Sequence, residues 1–143
     1  MKAQQLQYPF EEQQVGPIFF KTPRKAQLFG ICCEGIPRQY NYLIDEEHFL
    51  EKNANTVISL LDHFFTNYGL GEKWVHLTAD NCVGQNKNNA LIQYLMYRVL
   101  IGLHDKIDMS FLVVGHTKFS PDGNEGLIKR HYRRSQVLTI EQL

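Results

Sequence analysis

Apolar positions change their period twice along the chain, and each change predicts a new kind of element. Ala26 to Cys33 (AQLFGICC) is a continuous, β-compatible apolar run. Glu34-Gly35-Ile36-Pro37 reads as a turn, and Arg38 to Asp45 (RQYNYLID) alternates as a strand does. Together they predict an antiparallel pair. From Asn55 the period lengthens: Val57, Leu60, Leu61, Phe64, Phe65 and Tyr68 fall on one helical stripe. Asn55 or Thr56 is placed to cap that helix, and Gly69 and Gly71 to end it. Trp74 to Ala79 then predicts a short interior strand. Asn86 to about His104 predicts a helix apolar on most sides and largely buried, and Met109 to Val114 a further interior strand. Ser120-Pro121-Asp122 has the form of an N-cap followed by proline at the first helical position, opening a helix towards Arg134. Residues 1–25 show little periodicity and predict extended chain, with an edge strand near Gly16 to Phe20.

The resulting order is strand, strand, helix, strand, helix, strand, helix. An antiparallel opening followed by alternating units predicts an α/β fold, a mixed sheet covered by helices, in one domain over residues 1–143. Length and composition agree with this: 143 residues, 43% of them hydrophobic, suit a folded chain with a core. Fifteen basic and 15 acidic residues give a formal net charge of zero, so attraction to nucleic acid has to come from a local patch. Cys32, Cys33 and Cys82 lack metal-binding spacing and read as reduced thiols of an intracellular protein. MKAQQLQYPF has no apolar signal core, and the longest apolar segment, Ala90 to Leu103, is broken by Gln93 and Arg98, so no membrane span is expected.

Candidate chemistry gathers at strand ends. In a parallel α/β sheet, residues at the carboxyl ends of strands face a common crevice. Asp80 ends one interior strand, and His116 and Asp122 follow another. If those strands are neighbours the two acids converge, and oxygen-only ligands suit Mg²⁺ or Mn²⁺. Plainer roles exist for each residue. Asp80 and Asn81 make a turn, Asp122 favours a helix dipole, and His116 serves as a structural hydrogen-bond partner. The tract Gly84-Gln85-Asn86-Lys87-Asn88-Asn89 lacks phosphate-loop spacing. Its amides either cap the next helix or, with Lys87, offer donors to phosphate and base edges. Lys118, Lys129, Arg130, Arg133 and Arg134 form a local basic patch, which a solvated helix C-terminus explains equally well.

Four blocks carry a resemblance: Phe19 to Gly30 (FFKTPRKAQLFG), Gln39 to Glu46 (QYNYLIDE), Leu77 to Asn88 (LTADNCVGQNKN) and Ser110 to Asp122 (SFLVVGHTKFSPD). In this order they resemble a transposon-derived family of unknown function with a ribonuclease-H-like fold, of DDE transposase or integrase type. The resemblance implies a ribonuclease-H-like mixed sheet flanked by helices, and metal-dependent cleavage or strand transfer on DNA. It implies Asp80 and Asp122 as Mg²⁺ or Mn²⁺ ligands with His116 as a further catalytic candidate. Asn81, Gln85, Lys87, Lys118, Lys129 and Arg130 then contact the nucleic acid. The chain departs from the family where D-[FY]-A-Q-[QN] is replaced by Met1-Lys2-Ala3-Gln4-Gln5. The first acid falls on Met1, which implies a first strand missing or truncated, an open sheet edge prone to self-association, and impaired catalysis. Glu125 stands where an aromatic is usual, and Glu11, Glu12, Glu34 or Glu125 are the acids available to compensate. The competing reading is a degenerate, non-catalytic DNA- or protein-binding module. An intracellular location is expected for either, nuclear if the target is chromosomal DNA.

Overall fold

The apolar run that starts at Ala26 lies in the middle of a sheet, which is why it shows no alternation. The computed structural model describes residues 2–10, 16–48, 53–113 and 120–143. It is a mixed α/β structure whose elements gather into two compact units, one of residues 51–117 and one of residues 2–50 with 118–143.

The unit containing both ends of the chain is built on β1 (Lys2–Tyr8), β2 (Arg24–Cys33) and β3 (Arg38–Asp45). They form an antiparallel sheet in that order, with Gln4 opposite Leu28 on one side and Asn41 opposite Gly30 on the other. Ala26, Gln27, Leu28, Phe29 and Ile31 are all buried, the pattern of a strand covered on both faces. One face carries Leu6, Tyr8, Ala26 and Leu28. Val137 packs on Tyr8 and Ala26, with Phe10, Tyr132, Ile140 and Leu143 around them. Each such buried aliphatic or aromatic side chain contributes roughly 1.5–3 kcal/mol. Phe10 and Val137 exchange two backbone hydrogen bonds of 2.7 and 2.9 Å, so the chain's two terminal segments are tied together. The same unit contains α1 (Gly16–Phe19) and α4 (Ser120–Arg134).

Here the pattern misleads. The expected edge strand at Gly16 to Phe20 is a single helical turn, and the strand is Lys2–Tyr8, in the stretch expected to be extended chain without a strand of its own. Its partner lies more than a dozen residues away, so nothing in its local period announces it. This strand, β1, pairs with β2 over all seven of its residues.

The other unit holds α2 (Ala54–Tyr68), β4 (Trp74–Ala79), α3 (Asn89–Leu100) and β5 (Lys106–Phe111). Asn53, not Asn55 or Thr56, caps α2: its Oδ1 accepts the Thr56 N–H at 3.1 Å. Val57, Leu61, Phe64 and Phe65 of the predicted stripe are buried. A Cβ on Gly69, at the helix end, would sit 2.4 Å from the Phe65 carbonyl oxygen, so the chain leaves α2 only through glycine. Strands β4 and β5 run parallel, from Trp74 opposite Lys106 to Ala79 opposite Phe111. The second strand therefore starts three residues before the expected Met109. Both are half-covered, with Leu77 and Ala79 buried and Trp74 and His76 exposed, in place of the interior strands the pattern predicts.

Helix α3 also departs from expectation. It begins at Asn89, because Asn88 caps it by accepting the Leu91 N–H at 3.0 Å. Only Leu91, Leu95 and Arg98 are buried on it, while Ile92, Met96, Tyr97 and Leu100 stay exposed. Arg98, a charge inside an apolar segment, is buried because its head group is partnered on both the charged and the ring side. It lies 4.6 Å from the Phe65 ring centroid and donates to Asp62 at 2.7 Å and to the Tyr94 hydroxyl at 2.9 Å. Among the described residues no helix is long and apolar enough to cross a membrane.

Candidate functional site

Strand β4 ends at Ala79, and Asp80 is the first residue beyond the parallel ladder. Its carboxylate is half-exposed and held from one side. Oδ1 accepts the Cys82 N–H at 3.2 Å and the Asn86 Nδ2–H at 2.7 Å. The first bond is the local turn expected of an Asp at a strand end. The second comes from a side chain only 1% exposed, so it fixes the carboxylate's direction. Neither reaches Oδ2, which has no hydrogen bond among the described residues.

The carboxamides after Asp80 build the loop that holds it. The Cys82 carbonyl accepts from the N–H groups of Gln85, Asn86 and Lys87 at 2.8 to 3.3 Å. Asn88 Nδ2 donates to the carbonyls of Val83 (3.3 Å) and Gln85 (3.0 Å) while its Oδ1 caps α3. Asn86 and Asn88 are therefore committed to structure. Asn81 and Gln85 are half-buried and Lys87 is exposed, its ammonium 5.6 Å from the Phe111 ring centroid. These three remain available to a ligand beside Asp80.

The remaining sequence candidates lie elsewhere. Asp122 is the third residue of α4, in the other unit, and its side chain is outside the described residues, as are His116 and Lys118 altogether. Lys129, Arg130, Arg133 and Arg134 also lie on α4, and none forms an ion pair among the described residues. Spaced one and four apart, they make two adjacent rows at the helix's C-terminal end, where the dipole favours positive charge.

Glu125 is the residue whose setting was least legible. It is 1% exposed, and its Oε2 accepts from Gln4 Nε2 of β1. Its other oxygen sits over Gly30, 3.5 Å from where a Cβ would be, with Gln39 Nε2 and Asn41 Oδ1 at 3.1 and 3.4 Å from the same point. Gly30 is thus the vacancy in β2 that admits a carboxylate and two amide side chains to the sheet face. The sequence signal was present, an acid in place of an aromatic, but it pointed to a spare ligand and not to a buried polar cluster.

These residues fit the divalent cation implied by the resemblance only in part. Two oxygens fit: Asp80 Oδ2, and Asn86 Oδ1, which is buried with no hydrogen bond among the described residues. Yet no three His, Cys, Asp or Glu side chains come together among the described residues. Mg²⁺ sites of this kind join one or two carboxylates to substrate phosphates, so Asp80 and Asn86 by themselves supply an incomplete oxygen set.

Comparison with known proteins gives one result with content. A family model described as a domain of unknown function, DUF7869, matches residues 21–143. With most of the sequence covered, the chain belongs to that family. No curated protein and no solved structure matches it.

Proposed function

We propose that this member of the DUF7869 family is a nucleic-acid-directed domain of transposase or integrase ancestry with a ribonuclease-H-like layout, impaired as a catalyst. The observation that carries the reading is the Asp80 carboxylate, aimed by a buried Asn86 through one oxygen while the other stays open at the carboxyl end of a parallel strand pair. That is where α/β folds present ligand-binding groups, and a turn-forming aspartate does not need a buried side chain to orient it. The basic residues of α4 supply the phosphate affinity a neutral chain otherwise lacks. Impairment follows from the resemblance to the transposon-derived family, in which the first acid falls on Met1.

Restoring the acid tests this directly. The wild type and a Met1→Asp variant carrying an added initiator methionine are incubated with labelled DNA and Mg²⁺ or Mn²⁺. Cleavage that appears with Met1→Asp and disappears when Asp80→Asn is added supports the ancestry. Equal inactivity of all three, each folded, removes it.

A second reading, a non-catalytic DNA-binding module, is favoured by the four cations on α4 that make no ion pair among the described residues. Binding measured by anisotropy across a salt series separates it. If the patch engages the backbone, the double variant Arg130→Ala/Arg134→Ala weakens binding for every sequence and lowers the log–log salt slope by about 2. An unchanged slope would show that α4 does not touch phosphate.

A further inference from the structure

Outside the Asp80 loop, the most unusual surface of the 51–117 unit is apolar. Helix α3 exposes Ile92, Met96 and Leu100 to 38%, 58% and 81%, spaced by four so that they form one stripe. Between this stripe and β5 lies a groove of about 530 Å³, floored by Ile107 and Met109. Strand β5 pairs with β4 on one side, and no strand pairs with its other side among the described residues. An open backbone edge beside an apolar stripe is a surface that natural proteins cover.

The charges on β5 indicate what covers it. Lys106 and Asp108 lie on the exposed face, two residues apart and ion-paired with each other at 2.9 Å within the strand, and Ile107 lines the groove between them; a second copy would extend that pair into a network of four alternating charges. Suppose a second β5 pairs antiparallel with the first. Registers that keep like faces together bring Ile107, Asp108 or Lys106 opposite itself, among others. Centring on Asp108 or on Lys106 puts like charges face to face, which is destabilising. Centring on Ile107 puts each Lys106 opposite the other copy's Asp108, twice, and brings the two Ile107 side chains together beneath the helices. That register is self-complementary in charge and in apolarity. Strands about 4.8 Å apart and helices about 8–10 Å apart are compatible with two α3 helices meeting across the same axis.

We propose that the chain forms a twofold-symmetric dimer through β5 and the α3 stripe, in the register that pairs Lys106 with Asp108 of the second copy. The apolar stripe supplies the affinity and the charges select the register. The inference stands apart from the DNA reading, because it uses none of the residues assigned there.

Light scattering and sedimentation velocity on the full chain provide the test. The wild type is expected at twice the chain mass at micromolar concentration. Lys106→Asp and Asp108→Lys, each exposed and each leaving the core intact, are expected to weaken self-association at least tenfold. Mixing those two variants restores a dimer, because acidic strand then faces basic strand in both pairs. Met96→Lys is expected to be monomeric alone and in the mixture. A monomeric wild type at these concentrations overturns the proposal, leaving the stripe to a different partner. A wild-type dimer whose charge variants associate normally, or whose mixture fails to recover, overturns the register and with it the interface.

Discussion

Asn86 decides how Asp80 presents itself, and its replacement separates folding from presentation. Asn86→Ala removes a buried hydrogen bond to a carboxylate, worth about 1.5–3 kcal/mol, and the thermal midpoint should fall accordingly. Asn86→Asp should cost more, since it sets two carboxylates where the oxygens are now an amide nitrogen and an acid 2.7 Å apart. A midpoint unchanged in both variants would show that Asn86 does not orient the acid. His104 offers a pH test at the same scale. Burial, then the neighbouring Arg98, holds its imidazole below the usual histidine range. The folded state thus favours neutral His104. This contribution to stability is full above about pH 6.5 and is lost as pH falls through the depressed folded value, by about 1.4 kcal/mol for each unit of depression. Urea unfolding at pH 7.5 and pH 5 should show the loss, and His104→Phe should flatten that part of it.

At the level of elements, helix α2 was legible because its apolar stripe survives in the fold, and β2 and β3 because a continuous run beside an alternating one is what a central strand and its neighbour look like. Strand β1 was illegible because pairing with a distant partner leaves no local mark on KAQQLQY. Helix α3 was read as buried because apolar residues on most sides ordinarily mean a core. Its outer stripe is instead exposed in the single chain. Of the candidate site, Asp80 and its loop were readable as a strand end. The division of labour among the amides was not, since only coordinates distinguish Asn86 and Asn88, which hold the loop, from the half-buried Asn81 and Gln85, whose side chains make no such bond among the described residues. The bond between α2 and α3 follows the same logic. Asp62 is half-exposed while its partner Arg98 is buried. Asp62→Ala therefore strands a desolvated guanidinium and should cost more than the roughly 0–1 kcal/mol of an exposed pair. Arg98→Met, which fills the same space without charge, should be milder. Denaturant titration that ranks the two the other way round would refute this assignment.

Across the whole molecule, neutrality conceals organisation. Fifteen charges of each sign cancel, yet the α4 cations are grouped without an ion pair among the described residues and the β5 charges alternate. The two patterns lead to different dependences on salt. Binding to DNA through α4 should weaken steeply as salt rises, whereas association through the α3 stripe should persist, since its affinity is apolar. A self-association as salt-sensitive as the DNA binding would contradict that separation.

One unit is a single stretch of chain and the other is assembled from its two ends. On a ribosome this difference becomes an order of events. The 51–117 unit has everything it needs while the last turns of α4 are still being synthesised. Strand β2 meanwhile keeps uncovered the apolar face on which Val137 and its neighbours later pack. For the interval between those two moments the nascent polypeptide exposes a ready-made template for misassembly. A stop codon after Thr117 would make that interval permanent.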